Sequence, residues 1–255
     1  MNKEIIKKIM SKKEFSDIPE SLVERVIQKV YNKEMDEREV VKKTRALLRK
    51  NLAAFLSRNL LKKKLLETEK ILRSHTSTRE RYPYYDMIYK EILRVVEEKE
   101  PSIIDLGAGI NGLSYDYFLI NGYKPRYIAI EAVGQLVDLM NQYFETHDIN
   151  GRAIKMDLFN LEELLEVVRN TDKPRIVFLF KLIDGLEIIE RDYSKKLLLA
   201  LKPLTDLMVI SIPTMSLGSR RKFRATREWL KKFLRENFEI VKNFSIPGEE
   251  FIIIH

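Results

Sequence analysis

From its start to about residue 73, the hydrophobic pattern of the chain has only the period of an α-helix. Apolar residues recur at three- and four-residue spacing over 5–9 and again over 22–30. Ser21, with Glu24 three residues later, predicts a capping box at the start of the second helix. Further helices are predicted over 36–56, 58–73 and 84–98, with a polar joint over 74–83.

After residue 101 the pattern changes to short apolar segments of strand length, separated by helices. Strands are predicted at 103–104, 127–130, 153–154, 176–180, 207–212, 238–241 and 251–254. Helices are predicted at about 113–120, 134–146, 160–169, 186–201 and 221–236. This alternation predicts an α/β fold with a doubly wound parallel sheet. Pro247 and Gly248 join the last two strands closely enough for an antiparallel hairpin at the end of the sheet.

The charge is unevenly distributed along the chain. The 255 residues contain 46 Lys and Arg and 38 Asp and Glu, a net charge of +8. Residues 1–100 hold 25 of the basic and 17 of the acidic side chains, so they carry all of the excess. Within 41–73, eleven basic side chains face only Glu67 and Glu69. A solvated helix normally interleaves the two signs, so this segment predicts a surface for a polyanion such as RNA. A membrane surface competes as its partner, but aromatic anchors are missing beside it.

Composition excludes several classes of protein. The chain has no Cys, which excludes disulfides, thiolate metal sites and cysteine nucleophiles, and we expect a cytoplasmic protein. The three His residues are scattered at 75, 147 and 255, so no metal site is expected. No apolar run has membrane-spanning length, and the first residues do not resemble a signal peptide. The abundance of Lys and Glu is typical of a thermophilic source.

The most informative local motif is the run from 103 to 112, with the sequence IIDLGAGING. It places a glycine-rich turn directly after a predicted strand, where Gly107 and Gly109 let a ligand approach the backbone. With Gly112, the run also fits the G-x-G-x-x-G pattern of dinucleotide-binding proteins. Asp105 before the first glycine, the helical extension before the first strand and the terminal hairpin favour S-adenosylmethionine over NAD as the cofactor.

Charged residues follow the next three strands at the edge of the predicted sheet where ligands bind. Glu131 ends the second strand, where it can accept hydrogen bonds from ribose hydroxyls. Asp157 ends the third, within reach of an adenine amine, or is a solvated strand terminus. Lys181 ends the fourth and is expected to be functional. A second basic group over 220–235 predicts a phosphate clamp beside the active site, or a solvated helix exterior.

Four segments resemble one known family. Segment 75–81 (HTSTRER) resembles its H-x-S-T-x-E-R motif, and 104–111 (IDLGAGIN) resembles its cofactor loop. Segments 177–182 (VFLFKL) and 210–217 (ISIPTMSL) resemble its fourth and fifth strands. These are the small-subunit (16S) ribosomal RNA guanine-N7 methyltransferases that confer aminoglycoside resistance, and the similarity extends over nearly the whole chain.

The resemblance implies a basic, all-helical RNA-binding domain over 1–73 and a Rossmann-like S-adenosylmethionine-dependent methyltransferase domain over 74–255. Arg81 would hold the cofactor's carboxylate. The residues expected to bind the cofactor are Arg81, Asp105, Gly107, Ala108, Gly109, Glu131, Asp157 and Leu158. The candidate catalytic residues, which match family positions important for activity, are Lys181, Glu187 and Glu250. The expected partner is ribosomal RNA or the 30S subunit, with no membrane or metal, and the expected state is a monomer. This division predicts that removing 1–73 abolishes RNA binding and leaves cofactor affinity nearly intact.

The sequence departs from the family at two places. Residues 183–185 (IDG) stand where the family has Leu-Pro after its lysine. Met215 stands where the family has a basic residue close to the target base. The target nucleotide therefore stays open, as does the choice between drug resistance and housekeeping methylation. Other functions also stay open: methylation of another RNA or of a small molecule, or RNA binding without catalysis, which cofactor binding would distinguish.

The sequence lacks residues and motifs that other methylation reactions use, and this is consistent with methylation at guanine N7. Guanine N7 carries an in-plane lone pair and no proton, so its methylation needs alignment and no general base. The chain has no Asn-Pro-Pro-Tyr or Asp-Pro-Pro-Tyr run, as methylation of exocyclic amines commonly uses. It also has no Cys for covalent pyrimidine methylation. These absences favour N7 over the two competing reactions.

Overall fold

Helices and strands follow the predicted order in the computed structural model, which describes residues 3–52, 68–214 and 227–255. The helices are α1 (Lys3–Met10), α2 (Glu20–Val30), α3 (Glu37–Asn51), α4 (Thr68–Ser74), α5 (Thr76–Arg81), α6 (Tyr85–Leu93), α7 (Asp116–Ile120), α8 (Gly134–Thr146), α9 (Leu161–Arg169), α10 (Ile183–Ile189), α11 (Tyr193–Leu201) and α12 (Glu228–Asn237). The strands are β1 (Ser102–Leu106), β2 (Arg126–Glu131), β3 (Gly151–Lys155), β4 (Arg175–Phe180), β5 (Leu207–Pro213), β6 (Ile240–Ile246) and β7 (Glu249–Ile254).

The strands form one sheet with the order β3-β2-β1-β4-β5-β7-β6. The first five strands run parallel, and β7 pairs antiparallel with both β5 and β6. The predicted doubly wound sheet with a terminal antiparallel hairpin is therefore confirmed. The strand order reverses between β1 and β4, so a crevice opens at the carboxyl ends of these two strands.

The central strands are apolar on both sides because helices cover both faces of the sheet. Every residue of β1 is buried, as is β4 after its first residue. Aromatic rings suit this pleated surface, and Phe178 and Phe180 stack with their centroids 4.6 Å apart. The edge strand β6 buries only Ile246, and its other positions include Lys242 and Asn243. A polar edge of this kind opposes pairing with another sheet.

The N-terminal helices α1, α2 and α3 pack on one another through the predicted apolar stripes. The buried residues include Ile6 and Ile9 of α1, Val23 and Val26 of α2, and Leu48 of α3. This apolar cluster is continuous with the core around the sheet. The basic helices are therefore joined to the sheet by a shared core.

Asp17, in the connection between α1 and α2, fixes the helices against α8 and β3. Its carbonyl accepts a hydrogen bond from the Gly134 amide at 2.7 Å, and its carboxylate lies 2.6 Å from Lys155 Nζ. A Cβ at Gly134 would lie 1.7 Å from the Asp17 carboxylate, so any larger residue there would displace this carboxylate from Lys155.

The predicted polar joint over 74–83 is mostly helical, and several of its polar side chains are buried. It forms α5, and its polar residues His75, Thr78 and Arg81 are all buried. They tolerate burial because they find partners inside the protein: the Thr78 hydroxyl donates to the Leu72 carbonyl, and Arg81 pairs with Glu249. Polarity alone therefore predicted the wrong environment for this segment.

Other boundaries differ more modestly. The helix predicted over 186–201 is divided into α10 and α11, because Asp192 between them has a φ of 63°. The sixth strand begins at Ile240, after Phe238 has turned into the core. Parts of the predicted helices, 53–56, 58–67 and 221–226, lie outside the described residues. Within the described ranges, no helix has the length and apolar character to cross a membrane.

Candidate active site

A cavity opens at the carboxyl ends of β1, β2, β3 and β4, beside the reversal of the strand order. This is the position at which doubly wound sheets bind ligands. Its walls come from the segments after these strands, from α5 and α10, and from the N-terminal helices. The sequence-predicted residues that line it are Arg81, Asp105, Gly107, Ala108, Glu131, Asp157, Leu158 and Lys181.

The loop after β1 requires its first two glycines. Gly107 and Gly109 have φ angles of 64° and 57°, in the left-handed region. A Cβ at Gly107 would lie 2.7 Å from Leu182 Cδ1, and one at Gly109 would lie 3.0 Å from the His75 ring. Backbone conformation and space therefore both select glycine.

Two buried charged side chains of the cavity each keep one polar atom without a hydrogen-bond partner among the described residues. Arg81 is 2% exposed and leaves Nη2 unpaired, and Asp105 is 1% exposed and leaves Oδ1 unpaired. The two groups are close enough to influence each other's pKa. A buried cationic donor beside a buried anionic acceptor complements the carboxylate and ammonium of an α-amino acid.

A buried network holds Asp105 in place. Tyr127 Oη donates to Asp105 Oδ2 at 2.5 Å, and Asn111 Nδ2 donates to the same oxygen at 3.0 Å. Tyr85 Oη in turn donates to Asn111 Oδ1 at 3.0 Å. Both donors to Asp105 use Oδ2, so Oδ1 remains available. Burial raises the pKa of Asp105 to about 6, although these hydrogen bonds lower it.

Two more carboxylates lie at the ends of β2 and β3. Glu131 accepts hydrogen bonds from the Gly109 amide at 2.9 Å and the Val133 amide at 3.0 Å. Asp157 accepts one from Ser21 Oγ at 2.8 Å and one from a backbone amide at 3.0 Å. Each carboxylate oxygen has a second lone pair, so both residues can still accept hydrogen bonds from the hydroxyl or amino groups of a ligand.

Glu249 joins the two cations of the site. Its carboxylate oxygens lie 3.0 and 3.1 Å from Arg81 Nε, and Oε2 lies 3.1 Å from Lys181 Nζ. Lys181 Nζ also lies 2.7 Å from Glu80, and Ser211 Oγ donates to Glu249. The side chains of Arg81, Lys181 and Glu249 are 3%, 6% and 1% exposed. Charges buried this deeply persist only when paired, so Glu249 positions both cations.

Sequence reasoning selected Glu250 and missed Glu249. Side chains alternate along a strand, so the two neighbours on β7 point to opposite faces of the sheet. Glu249 faces Arg81, whereas Glu250 binds Lys231 at 2.7 Å and Asn243 at 3.0 Å and does not line the cavity. The sequence shows that side chains alternate along this strand. It does not show which face of the strand points toward the site.

Two further predicted residues also lie outside the cavity wall. Glu187 on α10 accepts hydrogen bonds from the amides of Asp192 and Ser194 at 2.7 and 3.0 Å. It therefore satisfies backbone donors at the start of α11 that have no partner within the helix. Gly109 gives its amide to Glu131 and does not line the cavity.

The N-terminal helices form part of the same cavity. Ser21, predicted to cap α2, instead donates its hydroxyl to Asp157 across the interface with the sheet, and α2 has no side-chain cap. The residues of these helices that line the cavity are Leu22, Asn51 and Leu52. Removing 1–73 would open one wall of the cavity and take Ser21 from Asp157, which argues against the expectation that cofactor affinity stays nearly intact without these residues.

Comparison with known proteins assigns the chain to a family. Residues 62–252, well over half of the sequence, match the model of the family described as Ribosomal RNA methyltransferase (FmrO). The chain belongs to this family. A 16S rRNA (guanine(1405)-N(7))-methyltransferase of Micromonospora rosea is 27% identical over 184 residues, which are 71% of this chain and 63% of that protein. The chain thus spans less than two thirds of the length of this relative.

Solved structures share the fold of the FmrO-family chain over its whole length. The 16S rRNA methyltransferase RmtF, in complex with S-adenosyl-L-homocysteine, has a TM-score of 0.83 at 20% identity, covering 100% of this chain and 99% of that one. The 16S rRNA methylase RmtB has a TM-score of 0.80 at 21% identity, covering 100% and 98%. These likenesses establish the fold: a helical N-terminal region followed by a methyltransferase sheet.

The FmrO-family chain carries a depression lined by basic side chains between α1 and α3, here called the basic groove. Its residues are Lys8, Ser11, Lys12, Glu37, Arg38, Val41, Lys42, Arg45 and Arg49. Lys8 pairs with Glu37 at 2.5 Å. Lys12, Arg38 and Lys42 are exposed and form no ion pair with other described residues. The basic residues from 58 to 64, which contributed to the predicted polyanion surface, lie outside the described residues.

Two of the four described basic residues of the second group, Arg227 and Lys231, are engaged inside the fold, whereas Lys232 and Arg235 are exposed. Arg227 is buried, and its Nε lies 2.8 Å from Asp184, while Nη1 lies 2.8 Å from the Pro213 carbonyl. Lys231 is paired with Glu250. These contacts remove Arg227 and Lys231 from the predicted phosphate clamp. Met215 and the rest of 215–226 lie outside the described residues.

Proposed function

We propose that this chain transfers a methyl group from S-adenosylmethionine to N7 of a guanine in small-subunit ribosomal RNA. The observation that carries the proposal is the buried pair in the cavity, in which Arg81 Nη2 and Asp105 Oδ1 lack partners among the described residues. The amino-acid end of S-adenosylmethionine carries the carboxylate and ammonium that these atoms would bind.

The remaining carboxylates fit the rest of the cofactor. Glu131 would accept hydrogen bonds from its ribose and Asp157 from its adenine amine, while Ala108 and Leu158 would contact its apolar surface. The relative from Micromonospora rosea is named for N7 of guanine 1405, and the RmtF structure contains S-adenosyl-L-homocysteine. The first name supports the proposed target atom, and the second supports the proposed cofactor.

The side chains near the reacting atoms serve to align the guanine base with the methyl group. S-adenosylmethionine supplies a methyl group bonded to a positively charged sulfur. Guanine N7 has no proton to lose, so the chain has only to hold the base in line with that group. Lys181 is the one predicted catalytic residue that lines the cavity, and we assign it to the target base. Glu187 and Glu250 act by positioning α11 and Lys231.

The basic groove is the RNA-binding part of this proposal. Its exposed cations, Lys12, Arg38 and Lys42, would contact phosphates of the folded RNA. Residues 1–73 then act as the RNA-binding domain and 74–255 as the methyltransferase domain, although they share the cavity wall. The enzyme would act as a monomer on ribosomal RNA or the 30S subunit in the cytoplasm.

Cofactor affinity should depend on pH through Asp105. The cofactor's ammonium requires the ionised carboxylate, and burial raises the pKa of Asp105 to about 6. Below this value binding must first displace a proton, so the affinity for S-adenosylhomocysteine should fall by about tenfold per pH unit. Calorimetric titrations at pH 7.5, 6 and 5 measure this, and Asp105→Asn should bind weakly without the slope. Equal wild-type affinities at pH 7.5 and 5 would contradict the assignment.

A transfer assay with a panel of acceptors tests the proposed function. The protein is incubated with methyl-labelled S-adenosylmethionine and 30S subunits, bare 16S ribosomal RNA or transfer RNA. We expect label in the small-subunit RNA and none in transfer RNA. Label in transfer RNA alone would indicate another RNA substrate. Binding of S-adenosylhomocysteine with no labelled RNA would indicate a small-molecule substrate or a non-catalytic protein, and binding of NAD instead would overturn the cofactor assignment.

A further inference from the structure

Helix α3 leaves one polar atom unsatisfied at the cavity wall. Asn51 is the last residue of α3 and lines the cavity together with Leu22 and Leu52. Its Nδ2 is buried and has no hydrogen-bond partner among the described residues. Buried amide donors are rarely left without a partner in native proteins, and a ligand is one of the partners that can satisfy them. A donor in this position is therefore suited to the molecule that occupies the cavity.

The same helix carries one side of the basic groove. Arg38, Lys42 and Arg45 lie on one face of α3 at three- and four-residue spacing, and all three line the groove. Arg45 ties this face to α1, because its Nε donates to the Ile9 carbonyl at 3.3 Å. The helix has 15 residues, so one continuous element runs from the groove to Asn51 in the cavity wall.

Helix α2 supplies a second connection between the N-terminal helices and the cavity. Besides the hydrogen bond from Ser21 to Asp157 at 2.8 Å, Arg25 Nη1 lies 2.7 Å from Glu190. The Arg25 guanidinium also lies over the ring of Phe159, 4.9 Å from its centroid. Helix α2 is therefore linked to the segment after β3 by a hydrogen bond and a cation–π contact, and to the end of α10 by an ion pair.

We propose that Asn51 is a cofactor-binding residue, and that cofactor binding and RNA docking are coupled through α3. The inference rests on the proposed function, in which the cavity binds S-adenosylmethionine and the basic groove binds RNA. A hydrogen bond from Asn51 Nδ2 to the cofactor fixes the carboxyl end of α3, and with it the cations of the groove. Coupling between two binding equilibria is reciprocal, so RNA and cofactor strengthen each other's binding by the same factor.

Asn51→Ala tests the inference, with Asn170→Ala as the matched control, because Asn170 is exposed at the end of α9. Calorimetry should show that Asn51→Ala lowers the affinity for S-adenosylhomocysteine by about three- to tenfold, as expected for the loss of one neutral hydrogen bond. The control should keep its affinity.

The coupling is measured with 30S subunits. Wild-type protein should bind them about fivefold or more tightly when S-adenosylhomocysteine is present. In Asn51→Ala, the increase in 30S affinity caused by S-adenosylhomocysteine should fall toward a factor of one, while the 30S affinity without the ligand is unchanged.

The outcomes separate this inference from the proposed function. If wild type binds S-adenosylhomocysteine and Asn51→Ala binds it equally well, only the inference is overturned. It is also overturned if the ligand leaves wild-type 30S affinity unchanged. A wild-type chain that binds no S-adenosylhomocysteine overturns the proposed function itself. Asn51→Asp, which keeps the shape of the side chain and replaces the donor with an oxygen, should lower ligand affinity at least as much, and it provides the same comparison if Asn51→Ala folds poorly.

Discussion

Replacing Arg81 with alanine is expected to weaken the binding of S-adenosylhomocysteine by roughly ten- to a hundredfold. Arg81 Nη2 is a buried donor of the cavity that has no hydrogen-bond partner among the described residues. A hydrogen bond to a charged group contributes about 1.5–3 kcal/mol, and each 1.4 kcal/mol corresponds to about a tenfold change in affinity. Calorimetric titration measures the loss. Arg81→Lys should recover only part of it, because an ammonium group cannot reproduce the planar guanidinium.

The same substitution should also destabilise the fold. Glu249 would lose its contacts with Arg81 Nε at 3.0 and 3.1 Å and keep Lys181 as its remaining cation. Removing one partner of a buried ion pair costs about 3–5 kcal/mol, and we expect the lower end because Lys181 remains. Denaturant unfolding measures this change in the free energy of unfolding.

Arg79 provides the matched control for Arg81. It lies on the same helix, α5, and is exposed. Arg79→Ala should therefore change neither cofactor affinity nor stability. If Arg81→Ala keeps its cofactor affinity and loses RNA affinity instead, Arg81 belongs to the RNA-binding surface and its assignment to the cofactor is wrong.

Reversing three charges of the basic groove is expected to lower the affinity for 30S subunits by about a hundredfold at low salt. The triple variant Lys12→Glu/Arg38→Glu/Lys42→Glu changes exposed side chains that form no ion pair with other described residues. The slope of log affinity against log salt should become shallower by about three, because each lost phosphate contact removes about one released counterion. Filter binding over a range of salt concentrations measures both quantities.

A second triple variant controls for the change in net charge. Lys124, Arg152 and Lys173 are exposed near the amino ends of β2, β3 and β4, at the edge of the sheet opposite the cavity. Reversing these three charges should leave RNA affinity much closer to that of the wild type. Equal losses in the two triple variants would show that net charge, and not the groove, governs RNA binding.

The sequence predicted the sheet well because its signals are local. Five apolar segments and the glycine-rich run from 103 to 112 identified β1 to β5 and the glycine-rich loop at the cavity. The burial of polar residues in the segment over 74–83 was not predicted, because the contacts that determine it are not local in the sequence. Arg81 is paired inside the protein with Glu249, which is distant in the sequence, and no local pattern reports such a partner.

The site was only partly predictable for the same physical reason. Asp105 and Glu131 lie at the carboxyl ends of β1 and β2, and Asp157 comes shortly after β3, so their meeting at one edge of the sheet follows from the topology. Glu249 depended on which face of β7 meets Arg81 and Lys181, and Asn51 on how the N-terminal helices dock. Both are tertiary relations between segments far apart in the chain, which the hydrophobic pattern does not encode.

The identity of the methylated nucleoside tests the proposed function most directly. After 30S subunits are incubated with the protein and S-adenosylmethionine, their RNA is digested and its nucleosides are counted by mass spectrometry. We predict a single additional 7-methylguanosine per subunit with the wild-type protein, and a large reduction with Arg81→Ala. An added methyl group on any other nucleoside, or no added methyl group from a protein that binds S-adenosylhomocysteine, would contradict the proposal.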